Sequence, residues 1–408
     1  MLRRFRFSSL GRCRQSPQID KEISDALEKP IFAPAFEKLL RNSRKILLIV
    51  PDNTRAFPAR EIIPRLLEKI EKINSIAEVK LLVATRLHVE VSKDELRKLL
   101  GSEVVENYEV VNHDASDSDQ IMETGRRTSY GTPIQVNRLV MESNIAIGAG
   151  LIEPHFFAGY SGGRKILLPG VAGRDAVFSN HSLRMVGDPK ARAGILSGNP
   201  IHEDMIEFMK QTKLDFIVNT TINKRKRDHR DLRRRPIKAH LKGVEFLDRH
   251  IKIAVKGEAD IMITTNGGYP LDRDIYQAVK GMDTAATIVR RGGIIIIAAE
   301  CRDGLGGHEE FVKLTKGAES PAEIIEKIRK NEPIYDQWEA QVLARVLEKA
   351  RVVLVSDYLP EKVAKDLLLD HARILEEALE IAYGILRRKD ARIIAIPEGP
   401  YIIPVREK

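Results

Sequence analysis

Apolar positions along this chain fall into two rhythms. Short unbroken runs at residues 45–50 (KILLIV), 79–83, 108–111 and 144–147 have the length and continuity of strands buried on both faces. Between the first two, Ile62, Ile63, Leu66, Leu67 and Ile70 recur at helical spacing and predict a helix over 60–72. Ser92, with Glu95 three residues later, fits a capping box that opens another helix. The alternation continues with a helix over 202–212 and apolar runs at 216–220, 261–264, 293–298, 352–355 and 392–396. Strands alternating with helices predict parallel sheets. The expected fold class is α/β with two domains: a Rossmann-like doubly wound first domain and a smaller second α/β domain. The expected limits are a loose basic leader at 1–20, a first domain at 21–255 completed by a last strand from 390–408, and a second domain at 256–389 closing the cleft.

Each strand of the first unit delivers polar residues at its carboxyl end, where ligands bind in open α/β sheets. The first exits into Asp52, Thr54 and Arg55, the second into a turn carrying His88. The fourth is expected to leave the sheet at Gly148-Ala149-Gly150 and to enter the stretch 151–181, LIEPHFFAGYSGGRKILLPGVAGRDAVFSNH. Within it, Gly159, Gly162 and Gly163 permit positive φ and close approach to a ligand. Arg164 and Lys165 follow at once, a combination suited to phosphate. His155 and His181 lie in the same stretch, and the helix after the 261–264 strand carries Tyr276, Gln277 and Lys280. The residues alone imply an anion-binding cleft between two domains, with several histidines. There is no GxxxxGK[ST] phosphate loop. His113, His202 and His240 read as structural histidines.

Charge changes this picture little. The net charge of +9 is concentrated in residues 1–14, with five arginines and no acid, and in residues 224–235 (KRKRDHRDLRRR). That distribution argues against a nucleic-acid partner reached through a broad basic surface, and no aromatic residue is interleaved for base stacking. No apolar run is long enough for a membrane span. Two distant cysteines, Cys13 and Cys301, exclude a disulfide framework and favour a reducing, cytoplasmic setting.

The motifs DNTR at 52–55, His88, HFFAGYSGGRKILLPG at 155–170, SNH at 179–181, NGGYPLDRDIYQAVKG at 266–281 and DQW at 336–338 resemble the nickel-dependent lactate racemase family of 2-hydroxyacid racemases and epimerases. The likeness runs from about residue 25 to the C-terminus. It implies an isomerase acting at C2 of a 2-hydroxy acid by hydride transfer to a nickel-pincer nucleotide, a pyridinium-3-thioamide-5-thiocarboxylate mononucleotide. The resemblance places the covalent tether on Lys165 and the nickel ligand on His181. Asp52, Thr54, Gly162, Gly163 and Arg164 fall at cofactor positions. The acid/base pair maps onto His88 and His155, and substrate contacts onto Arg55, Tyr276, Gln277, Lys280 and Trp338. Cofactor-maturation enzymes are implied as partners, because nothing in the chain could make the cofactor.

The chemistry suits those residue types. A histidine with a pKa near ~6.5 can take the hydroxyl proton at neutral pH, and each enantiomer needs its own base. An arginine fork fixes a carboxylate, and an imidazole suits nickel. Two departures stand out. His88 usually sits in a GTHR-like context, but here an arginine, Arg86, replaces the glycine and Val89 replaces the arginine; residues 222–238 are basic where relatives tend to have a glycine-containing hairpin. The altered setting of His88 leaves a second reading, a homologue that binds a nucleotide or anion without racemising.

Overall fold

The structure, a computed structural model, describes residues 26–28, 30, 35–221 and 235–407. The leader at 1–20 lies outside them, as does the basic run except Arg235, which opens a helix.

Five parallel strands form the first sheet: β1 (Lys45–Pro51), β2 (Glu78–Ala84), β3 (Glu109–Asn112), β4 (Ile145–Ile152) and β5 (Phe216–Thr221). Their order is β3-β2-β1-β4-β5, each neighbour pairing in parallel. The order reverses between β1 and β4, and the crevice at such a switch point is the usual ligand position. Helix α1 (Ala59–Ile73) buries Ile62, Ile63, Leu66, Leu67 and Ile70, the stripe its spacing predicts. Helix α2 (Lys93–Leu100) begins at the capping box: Ser92 and Glu95 satisfy each other's backbone N–H groups.

β4 is longer than its pattern suggests. It continues through Gly148 and Gly150 to Ile152. These glycines serve close packing across the sheet: a Cβ on Gly148 would stand 2.7 Å from Ile166 Cγ2. After β4 come helices α3 (Arg174–Asn180), α4 (Pro200–Gln211) and α5 (Arg235–Ile251).

The second sheet is also parallel. It contains β6 (Ala259–Thr265), β7 (Val289–Ala298), β8 (Ala350–Val355), β9 (Asp370–Ala372) and β10 (Ile393–Ile396), in the order β9-β8-β7-β6-β10. Here the sequence reading needs correction: the strand expected to return to the first domain, β10, pairs with β6 instead. Asp260 on β6 fixes it there, accepting a bond from the Arg392 N–H and ion-pairing with Arg388. The chain's end makes a separate pair, Ile403–Glu407 alongside Lys252–Lys256.

Helices α6 (Ile275–Ala286) and α7 (Gln337–Lys349) join the two units. One buried cluster runs from Leu47, Ile49 and Phe208 to Met262, Val279 and Leu343. Arg345 on α7 pairs with Asp283 at 2.7 Å and also reaches the carbonyls of Ala191 and Phe156, at 3.3 and 3.5 Å. The second unit thus holds the loop that carries His155.

A second anchor of that loop is Asn199, the N-cap of α4. Its side-chain oxygen accepts from the N–H of Ile201, and its amide donates to Phe157 O at 2.9 Å. Replacing it removes a cap and leaves a buried carbonyl unpartnered. Asn199→Ala is therefore expected to destabilise the fold by about 2 kcal/mol, read as a lower urea midpoint at unchanged slope. An unaltered midpoint would show that the anchor is dispensable.

Candidate active site

The site lies where β1, β2 and β4 end. Past β1 the chain turns on Asp52, which is buried. One of its oxygens accepts from Thr54 Oγ1 at 2.6 Å, and the other lies 2.7 Å from His88 Nδ1. Burial would raise the Asp52 pKa, but the Arg86 charge and the bonds from His88 and Thr54 outweigh it and hold the carboxyl well below the usual carboxylate range. An ionised carboxylate only accepts, so His88 Nδ1 carries the hydrogen and Nε2 the lone pair. Burial is the largest influence on His88 and, with Arg86 and Arg55 nearby, lowers its pKa against the pull of Asp52. The ring nonetheless keeps 40 % of its side-chain surface open to the cleft.

Past β4, Pro154–His155 and Gly159–Tyr160 pair as a tight antiparallel turn around Phe156, Phe157 and Ala158. Phe157 is the hub. His155 packs edge-on at 4.5 Å between ring centres, His181 at 5.0 Å, and the Lys165 ammonium position lies 5.7 Å from the ring centre. His155 Nδ1 accepts from the Ala158 N–H at 3.3 Å, which leaves its hydrogen on Nε2. The two acid/base candidates therefore rest in opposite tautomers.

Lys165 sits on a short 3₁₀ turn, Gly163–Ile166. Gly162 enters that turn at φ +75°, where a Cβ would meet Ile152 at 2.9 Å and Leu151 O at 3.1 Å. A 3₁₀ turn rotates successive side chains by a third of a circle, so Arg164 and Lys165 cannot face the same way. Lys165 lines the cleft with Arg55, Arg86 and Gly162. Arg164, expected at the cofactor, is turned into the protein instead: it donates to Ala158 O at 2.7 Å and lies 3.1 Å from His240 Nε2. Lys165 is buried, and among the described residues no carboxylate pairs with it. Burial, reinforced by the charges of Arg55, Arg164 and Arg86, drives its pKa well below the usual lysine value.

His181 caps the end of α3, its N–H bonding to Val177 O at 2.8 Å. Its Nδ1 is enclosed without a partner. Burial, then the Lys165 and Arg86 charges, push its pKa well below the ordinary histidine value. Trp338 packs edge-on against it at 5.2 Å and donates to Tyr276 Oη at 3.3 Å. Tyr276 in turn bonds Asp336 at 2.8 Å and stacks on His308. On the next turn of α6 the Lys280 ammonium donates to Gln277 Oε1.

Sequence reasoning missed four contributors. Glu153, at the end of β4, pairs with Arg55 at 3.1 Å; its place two residues before His155 was a usable signal. Asp336 and His308 brace Tyr276, and Phe157 organises the loop. Arg86 was noticed only as a departure. Its φ is +61°, which explains why glycine suits the position; an arginine there carries strain of about 1 kcal/mol.

His113 and His240 are structural, as expected. His113 Nε2 bonds Ala172 O at 3.0 Å, and His240 Nε2 lies 2.8 Å from Ser161 O.

Among the described residues no group of three or more His, Cys, Asp and Glu side chains could hold a metal. A lone imidazole with an unpartnered nitrogen fits a metal that brings its other ligands with it. A neutral buried amine beside it fits covalent attachment of the group that does so.

These features describe a two-domain α/β fold with a candidate site where the strands of the first sheet end. Residues 7–194 match the family described as "Lactate racemase N-terminal domain" and residues 254–403 that described as "Lactate racemase C-terminal domain". The chain is 41 % identical to a lactate racemase of Thermoanaerobacterium thermosaccharolyticum over 389 residues, 95 % of this chain and 90 % of that one. It is 36 % identical to one of Lactiplantibacillus plantarum over 385 residues, covering 93 % and 90 %. The structure of the T. thermosaccharolyticum lactate racemase apoprotein superposes with a TM-score of 0.88 at 38 % identity, covering 95 % and 92 %. A Thermotoga maritima protein shares the fold, with a TM-score of 0.71 at 18 % identity and coverage of 95 % and 98 %. The chain belongs to the lactate racemase family. No helix among the described residues is long and apolar enough to cross a membrane.

Burial keeps several histidines neutral in the fold: His113 is pushed down to about 4 and His240 to about 3, and His155 and His181 lie well below the ordinary value. Unfolded, each takes up a proton below about 6.5. The unfolded state then binds more protons, so stability falls as pH falls through 6.5, by up to about 1.4 kcal/mol per pH unit for each histidine. Urea midpoints measured from pH 7.5 to 5 should drop steeply; a flat profile would mean these rings are charged in the fold.

Proposed function

We propose that this chain racemises or epimerises a 2-hydroxy acid at C2, lactate being the substrate named for its relatives, with a nickel-pincer nucleotide held at Lys165 and His181. The observations that support this reading are a buried amine with no ion-pair partner among the described residues, an imidazole with an unpartnered nitrogen packed on the same phenylalanine, and a separate histidine–aspartate pair. Lys165 offers its neutral amine for attachment and His181 a lone pair to nickel. Asp52, Thr54, Gly162 and Gly163 flank the nucleotide; Arg164 supports the turn from beneath. When bound, the group supplies a hydride acceptor and donor at C2.

The chain's own residues do the rest. Arg55 grips the substrate carboxylate, with Glu153 steadying one edge of the guanidinium. His88 Nε2 takes the hydroxyl proton, which makes departure of the C2 hydride feasible. Asp52 holds the ring's tautomer and stabilises the imidazolium that forms. His155 serves the other enantiomer, its hydrogen moving to Nδ1 as the long bond from Ala158 is released. Tyr276 and Trp338 wall the pocket, and Gln277 and Lys280 supply polar contacts. Closure of the second domain excludes water from the hydride step. The enzyme would work in the cytoplasm alongside cofactor-maturation enzymes.

Intact mass and nickel content, measured on protein made with and without those maturation enzymes, test the proposal. The expected result is a mass increment of a few hundred daltons that is absent from Lys165→Ala, with nickel lost in His181→Ala. His88→Ala should retain both while lowering kcat by about 10²- to 10⁴-fold. No increment from a working maturation system would leave an anion-binding protein without racemase chemistry.

A further inference from the structure

One cleft cation is given no ligand in the chemistry above. Arg86 follows β2, two residues before His88, and its side chain is only 17 % exposed. The guanidinium lines the same cavity as Arg55, Gly162 and Lys165. Among the described residues its one carboxylate contact, to Asp52 Oδ1, is 3.5 Å long, the limit of a hydrogen bond, and that carboxylate is already held more tightly by Thr54 and His88. Arg55, by contrast, is engaged with Glu153. Three positions on from Arg86, Val89 is 88 % exposed. The turn thus sends residue 86 inward and residue 89 outward, and the charge at 86 belongs to the cleft.

We infer that Arg86 is a specificity-determining residue that binds a second carboxylate of the substrate, so that the site prefers a 2-hydroxy dicarboxylate of the malate type to lactate. This rests on the racemase reading. With the first carboxylate on Arg55 and the hydroxyl at His88, the second carboxylate of a four-carbon acid extends past C2, and the nearby guanidinium fork can receive it through two parallel bonds. Lactate offers only a methyl group and leaves the enclosed guanidinium without an anion. A nucleotide phosphate presents the same anionic chemistry. Arg86 shares the Asp52 carboxylate with His88, and a guanidinium held next to the base that takes the substrate hydroxyl proton favours the substrate.

The test uses malate and lactate as probes, with kcat and KM measured on cofactor-loaded protein and binding measured by calorimetry on cofactor-free protein. Wild type should prefer malate by about tenfold or more, the difference entering through KM. Arg86→Gly suits the backbone at φ +61°, so its folding is not at risk. It should cut the malate-to-lactate ratio of kcat/KM by about tenfold or more and weaken calorimetric malate binding, with partial recovery in Arg86→Lys. An identical ratio in wild type and Arg86→Gly would overturn the inference. So would loss of the cofactor mass increment in Arg86→Gly with the ratio unchanged, which would assign Arg86 to the phosphate. If neither acid is turned over but malate binding still depends on Arg86, the racemase reading fails while the second-carboxylate site stands.

Discussion

A buried amine with no carboxylate paired to it among the described residues is the constraint that orders the first domain. A charged ammonium at Lys165 would lose several kcal/mol of hydration with no ion pair in return, and three arginines nearby make the charge still less favourable. Burial and those charges lower the pKa of the amine, which eases the loss of its proton. Putting it there demands a turn that glycine alone can begin without strain, at Gly162, and the tight 3₁₀ geometry then dictates the fate of its neighbour. Arg164 is carried to the far side, where the carbonyls of Ala158 and Gly162 receive its donors. A sequence that reads as two adjacent cations for one phosphate is, in the fold, one cleft-lining amine and one structural brace.

The second domain completes the arrangement through contacts that are specific rather than merely apolar. Arg345 spans the boundary and touches the carbonyl of Phe156, so the loop bearing His155 is held from both sides. Trp338 meets His181 edge-on and hands its indole hydrogen to Tyr276, whose own hydroxyl is fixed by Asp336. Tyr276 on α6 and Trp338 on α7 are thereby each held by a neighbour, the kind of support that keeps side chains of a site in one geometry.

Much of this was legible in the sequence, for identifiable reasons. Buried parallel strands are continuous apolar runs, so β1, β2 and β6 to β8 are visible, and an amphipathic stripe exposes α1. Local chemistry also reads directly, as the Ser92–Glu95 capping box does. What failed was non-local. Nothing in the Ile393–Ile396 run says which strand it will join; Asp260, more than a hundred residues earlier, decides it. The length of β4 was underestimated because glycines that look like an exit serve instead to admit Ile166. In the candidate site, residue types and family motifs singled out His88, His155, Lys165 and His181, whereas Glu153, Phe157 and the inward turn of Arg164 depend on rotation and packing that no spacing encodes.

The histidines show why chemistry must be read from environments and not from residue type. His113, His181, His202 and His240 are all buried, and burial lowers the pKa of each. His113 and His240 are satisfied by backbone carbonyls and do no more than tie segments together. An unpartnered nitrogen alone does not separate function from structure either, since His202 at the start of α4 has one as well. Convergence makes the difference. His181 shares Phe157 with His155 and Lys165, and Arg86, which lines the same cleft as Lys165, contacts the Asp52 that holds His88, so these groups form one connected set. A lone unsatisfied atom costs stability wherever it occurs; a set of them around a common cavity is a cost that a single ligand can relieve at once.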